Sequence, residues 1–134
     1  MSIEKNAYHH KQLKVWQKAM QLVYEIYKAT NNFPKLEQFG LFSQIRRSVI
    51  SIPSNIAEGH GRKSDKELVR FLDIARGSLY ELDTQIEIAK QLNYLSQYEF
   101  ENLSKLLDET SRLLSGLHKA KSQYSNLNTQ NQKQ

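Results

Sequence analysis

The sequence predicts an all-α protein, an antiparallel up-down four-helix bundle with a proline-kinked second helix. Three observations predict it. Apolar residues recur at spacings of three and four in four separate segments, with no sustained period-two alternation. Only two prolines and five glycines punctuate the 134 residues. The connections between the four segments are short, which favours antiparallel neighbours.

The first helix carries two apolar stripes. Leu13, Trp16, Met20, Val23 and Tyr27 form the stripe expected to face the core. Val15, Ala19, Leu22 and Ile26 form a second stripe beside it. In a lone bundle part of that second stripe would face water, so it is the expected oligomer interface; the plainer alternative is a wide core face. "TNNFP" (30–34) ends the helix, because asparagine and proline oppose its continuation.

Leu41, Ile45, Val49, Ile52 and Ile56 mark the second helix, and Gly59 is the expected left-handed stop. Pro53 falls inside this pattern. It cannot donate to the carbonyl of Val49, at a cost of about 3 kcal/mol. The apolar spacing continues past it to Ile56, so one kinked helix is expected rather than two. Leu68, Leu72, Ala75, Leu79, Leu82, Ile86 and Ala89 mark the third helix. Phe100, Leu103, Leu107, Thr110, Leu114 and Leu117 mark the fourth. "SDKE" (64–67) and "SQYE" (96–99) both match the capping box, each directly before an apolar-periodic run. Gly77 and Gly116 lie inside helices, where close helix approach is the expected reason. The expected organisation is a flexible segment at 1–10, the bundle at 11–124 and a disordered polar tail at 125–134.

Composition bounds the function. The length fits one domain. The chain is 39% apolar and 25% charged, ordinary for a soluble protein. It has no cysteine, which removes disulfides, thiolate metal sites and thiol nucleophiles and fits a reducing cytoplasm. No apolar run approaches the ~20 residues of a membrane span. "MSIEKNAYHH" lacks the apolar core of a signal peptide. The net charge of +5 points toward a polyanion such as nucleic acid.

"FGLFSQIRRSVISIPSNIAEGHGR" (39–62), followed by "ELVRFLDIARGSLYELDTQI" (67–86), resembles the four-helix-bundle family of 23S rRNA intervening sequence proteins. "LKVWQKAMQLVYEIYKATNNFP" (13–34) resembles that family's first helix. The "SIPSNIAEG" piece is the most specific part; residues 13–95 carry the similarity well and the last helix only generically. Members are often encoded within insertions in bacterial 23S ribosomal RNA genes. The resemblance implies a homo-oligomeric ring, a homopentamer, with no known enzyme activity. A related bundle, the accessory variability determinant of diversity-generating retroelements, partners a reverse transcriptase and nucleic acid, which is analogy at the level of the fold.

No catalytic, cofactor or metal constellation emerges. His9 and His10 have no metal-ligand spacing, and His60, between two glycines, is expected to be exposed. "GHG" is too short to cradle a phosphate and lacks the lysine of such loops. Glu81 is expected to pair with Arg46 or Arg47 across helices. Tyr80, Tyr94, Tyr98 and Tyr124 could stack on bases but more often mark core margins.

Charge placement is more informative. In an up-down bundle, residues 1–20, 55–76 and 110–134 share one end and carry +3, +1 and +4, a formal +8, against −3 for the rest. The expected nucleic-acid contacts at that end are Lys11, Lys14, Lys18, Arg62, Lys63, Lys66, Arg70, Lys119 and Lys121. The expected function is non-catalytic binding of RNA or DNA, or scaffolding around a nucleic-acid enzyme. The rivals are a protein-interaction ring without nucleic acid and an enzyme with an inter-subunit site. No cofactor, small-molecule substrate or membrane partner is expected.

Overall fold

The computed structural model describes residues 9–133, with side chains described through residue 123. Of the flexible segment expected at 1–10, residues 1–8 lie outside the described residues, while His9 and His10 belong to an ordered turn. A 3-10 turn, His9–Gln12, leads into helix α1 (Lys14–Thr30). A second 3-10 turn, Lys35–Glu37, precedes α2 (Leu41–His60), which is followed by α3 (Asp65–Gln91) and α4 (Gln97–Lys133). The described residues contain no strand.

Each helix packs against two others, closing a four-helix bundle: α1 on α2 and α4, and α3 on α2 and α4. Side-chain pairs set the levels. Ser51 of α2 accepts a 2.8 Å hydrogen bond from Ser78 of α3, while Gly59 meets Leu68 and Phe71. Asp73 of α3 meets His118 of α4, and Asp65 meets Lys121.

The core is aliphatic. Ile45, Val49, Ile52 and Ile56 of α2 are buried against Leu72, Leu79, Leu82 and Ile86 of α3 and Leu103 and Leu114 of α4. From α1 it takes Val15, Ala19, Leu22 and Ile26, which corrects the sequence expectation. These four fill the chain's own core, so they are not free to form a subunit interface. Trp16, Val23 and Tyr27 instead lie partly buried at its margin, and Met20 is exposed. The two stripes differ by one residue of register, so periodicity cannot rank them. Chemistry does: the aliphatic set fills the interior, while the amphipathic Trp16 and Tyr27 stay partly exposed at its margin.

The second helix runs unbroken through Pro53, whose ring is itself buried. The next two residues add side-chain donors to preceding carbonyls: Ser54 to Ile50 and Asn55 to Ser51, both at 2.8 Å. The helix ends one residue beyond the expected stop, at His60, with Gly61 as cap in the right-handed region at φ −78°. Gly59 has another purpose. A methyl group there would lie 2.8 Å from Cβ of Phe71 and 3.2 Å from the carbonyl oxygen of Leu68, so the start of α3 can approach only a glycine. At Gly77 and Gly116 the expected close approach is absent: an added Cβ meets nothing within 4 Å.

Both capping serines work. The Ser64 hydroxyl accepts from the Glu67 N–H at 3.2 Å, and Ser96 and Glu99 exchange reciprocal bonds of 2.9 and 3.1 Å. The Glu67 carboxylate turns instead to Arg70, so only the second box is reciprocal. Helix α4 continues to Lys133, past the disordered tail expected from 125. The polar segment contains no proline or glycine to stop it.

Candidate nucleic-acid interface

The basic end is assembled by four pieces of chain. The His9 ring of the leading 3-10 turn stacks on His60 of α2 at 5.7 Å, and the His10 ring sits edge-on to Trp16 at 5.3 Å. Gly59 then lets α3 start close against the end of α2. Lys121 of α4 reaches Asp65 in the first turn of α3 at 3.8 Å, and His118 bonds Asp73 at 2.7 Å. His60 is therefore half-buried rather than open. Its imidazole is held below its ordinary pKa, first by burial and then by the neighbouring His9, His10 and Lys121.

Eight of the nine expected contact residues divide into two sets. Four are neutralised locally: Lys18 by Glu109 at 3.0 Å, Arg62 by Glu58 at 2.6 Å, Arg70 by Glu67 at 2.9 Å, and Lys121 by Asp65. The Arg70 bond and charge hold the Glu67 carboxyl below its usual range. Arg62 and Arg70 also lie over the Phe71 ring, with guanidinium carbons 5.0 and 4.5 Å from its centroid. Lys14, Lys63, Lys66 and Lys119 are exposed and have no carboxylate partner among the described residues. Lys11, also exposed, sits in the 3-10 turn, where its carbonyl accepts from Gln17.

The start of α3 is less positive than a bare helix N-terminus. Asp65 and Glu67 occupy its first turn, and the Ser64 hydroxyl takes one of the free amides. Positive potential here comes from side chains more than from the helix dipole. Glu81 forms no ion pair with Arg46 or Arg47. Arg46 instead turns to the end of α1, donating to the Thr30 hydroxyl (3.1 Å), the Tyr27 carbonyl (3.2 Å) and the Asn31 side chain (3.0 Å). The described residues hold no cluster of three or more side chains able to hold a metal ion. No helix among the described residues is long and apolar enough to cross a membrane.

Sequence reading missed the opposite end. There α3 closes in a Schellman motif, with Asn93 at φ 63° and the Tyr94 N–H bonding the Ala89 carbonyl at 2.9 Å. This aims Tyr94 at the α1–α2 connection. Its ring lies 5.3 Å from Phe33 and its hydroxyl donates to Glu37 at 3.0 Å. Around this brace Leu36, Phe39, Leu92 and Tyr98 are exposed. The available signal was two large apolar residues between Pro34 and Gly40, outside any helical stripe.

Fold and charge together define a four-helix-bundle protein with one basic end and one apolar end. The chain belongs to the family of 23S rRNA-intervening sequence proteins, whose profile matches residues 11–116. It is also similar in fold to a crystal structure from Bacteroides thetaiotaomicron, described as a protein of unknown function from the S23 ribosomal protein family. The TM-score is 0.73 at 24% identity, covering 78% of this chain and 98% of that one. No curated protein matches the chain.

Proposed function

We propose that this protein is a non-catalytic, homo-oligomeric bundle that binds RNA or DNA through its basic end. One observation carries the reading: Lys14, Lys63, Lys66 and Lys119, from three helices and a turn, are exposed there with no carboxylate partner among the described residues. Lysine ammonium groups suit phosphate oxygens, and no described residue at this end forms a base-reading element, so binding is weakly sequence-specific. In a symmetric assembly the end repeats in each copy and becomes a larger basic surface. The lack of cysteine supports a reducing, cytoplasmic setting.

The test is binding of generic RNA and DNA across a salt series, with wild type and a Lys63→Glu/Lys66→Glu/Lys119→Glu variant. Each lost phosphate contact lowers the slope of log affinity against log salt by roughly 0.7–0.9. Unchanged affinity in the variant places the contact elsewhere. No binding by wild type at low salt favours the second reading, a protein scaffold. That reading has its own observation in the exposed Leu36 and Phe39.

A further inference from the structure

Three imidazoles gather at the basic end without a counter-charge. His9 of the leading 3-10 turn stacks on His60 of α2, with ring centroids 5.7 Å apart and planes 22° from parallel. His10, next in the turn, lies edge-on to Trp16 of α1. The charged or titratable groups that face His60 are His9 and His10 from the turn and Lys121 from α4. None of the three rings forms an ion pair among the described residues. The carboxylates of the adjoining helices are engaged elsewhere: Asp65 of α3 with Lys121 at 3.8 Å, and Glu58 of α2 with Arg62 at 2.6 Å. His118 of α4 shows the contrast at the same end. One of its ring nitrogens has Asp73 at 2.7 Å and the other has Ser122 at 3.3 Å.

The grouping opposes its own ionisation. Burial, then His9, His10 and Lys121, hold His60 below its ordinary pKa. Stacked imidazolium ions repel, and no carboxylate here offsets the repulsion. An anion placed against the rings would supply the missing charge.

The geometry points to a phosphate seat: His9, His10 and His60, with Lys121, receive a phosphate group of bound nucleic acid and take up protons as it binds, so that affinity rises as pH falls. This rests on the nucleic-acid reading of the basic end and names its regulation. A phosphate beside the rings favours imidazolium, so the bound state holds more protons than the free state. Affinity therefore climbs as pH falls through the bound-state pKa. It levels off below the free-state value, which for His60 lies under 6.5. The rise is at most about tenfold per pH unit for each proton taken up. Lysine contacts add no such dependence, because lysine stays charged across this range.

The experiment is fluorescence anisotropy with labelled generic RNA and DNA at fixed ionic strength, from about pH 8 to about pH 5.5. It compares wild type with a His9→Gln/His60→Gln variant and a His118→Gln variant, and circular dichroism checks helicity at both ends of the range. Wild-type affinity is expected to rise as pH falls. The His9→Gln/His60→Gln variant is expected to show less than half of that rise. His118→Gln, whose ring already has a carboxylate partner, is expected to keep it. Calorimetry of wild type in two buffers of different ionisation heat reads the proton uptake directly and needs no variant to fold. A wild type whose affinity is flat with pH, or that takes up no proton, overturns the seat and leaves the lysine contacts standing. So does a His9→Gln/His60→Gln variant that keeps half or more of the rise, or a His118→Gln variant that loses as much of it. No binding by wild type at low salt and any pH overturns the nucleic-acid reading itself, and the seat with it.

Discussion

The two ends of the bundle are held by different chemistry. At the apolar end a buried Phe33 ring packs on Tyr94, one phenol–carboxylate bond ties the two connections, and Arg46 caps the end of α1. At the basic end a His9–His60 stack, two contacts from α4 to α3 and a glycine-limited approach do the joining. The first end resists salt because its joint is packing and directional bonds. The second adds to its glycine-limited packing polar contacts between partly exposed side chains, which salt screens. The second construction suits the phosphate contact proposed for the basic end, where carboxylates already pair with part of the basic set.

The sharpest way to break this comparison is to empty the apolar end. Phe33→Ala should destabilise the chain by about 3–5 kcal/mol in chemical denaturation, through lost burial and a cavity beneath Tyr94. A loss below about 1 kcal/mol would show that Phe33 is not what braces this end. The matching change at the basic end is Gly59→Ala. Its methyl would press on Phe71 and the Leu68 carbonyl, and overpacking of this kind costs roughly 1–3 kcal/mol. Gly61→Ala is the control, since its Cβ approaches nothing nearer than 3.6 Å.

These two positions also show what the sequence made legible. The four helices, both capping serines and passage through Pro53 were readable, because each depends on local spacing or on residues three apart. The gathering of the basic end was readable in outline, since topology alone brings those segments together. The correct stripe of α1 was not, because Val15, Ala19, Leu22 and Ile26 follow the same spacing as their neighbours one register away. Pairing of the basic residues was not readable either. Whether Lys18 meets Glu109 depends on the relative rotation of α1 and α4, which no single-helix pattern contains. The role of Gly59 needs the position of α3, and the exposure of Leu36 and Phe39 needs the course of the α1–α2 connection.

A smaller effect separates glycines that packing demands from those it does not. Gly116→Ala should raise stability by about 0.5–1 kcal/mol, because its site is open and alanine favours the helix. Gly77→Ala, at an equally open site, should do the same. A loss of stability at Gly116 would reveal a contact that the open site does not show. Gly59→Ala, with the same chemistry and opposite surroundings, should move the midpoint the other way.

The smallest expected effect is the response of the two ends to pH, and it has opposite signs. His60 has its pKa held below the ordinary 6.5, chiefly by burial and then by His9, His10 and Lys121, so folding favours its neutral form. Its contribution is complete above 6.5 and is lost as pH falls. Tyr94 has its pKa held above the ordinary 10.0, first by the bond to Glu37, then by burial and the Glu37 charge, so folding favours the protonated phenol. Its contribution is complete below 10.0 and is lost as pH rises. Acid should therefore loosen the basic end and alkali the apolar end. Thermal midpoints of wild type, His60→Gln and Tyr94→Phe across about pH 5 to 11 resolve the two. His60→Gln should flatten only the acid limb, and Tyr94→Phe only the alkaline limb. If either substitution flattened both limbs, the ends would not be titrating independently, and the division of the bundle into two chemically separate joints would fail.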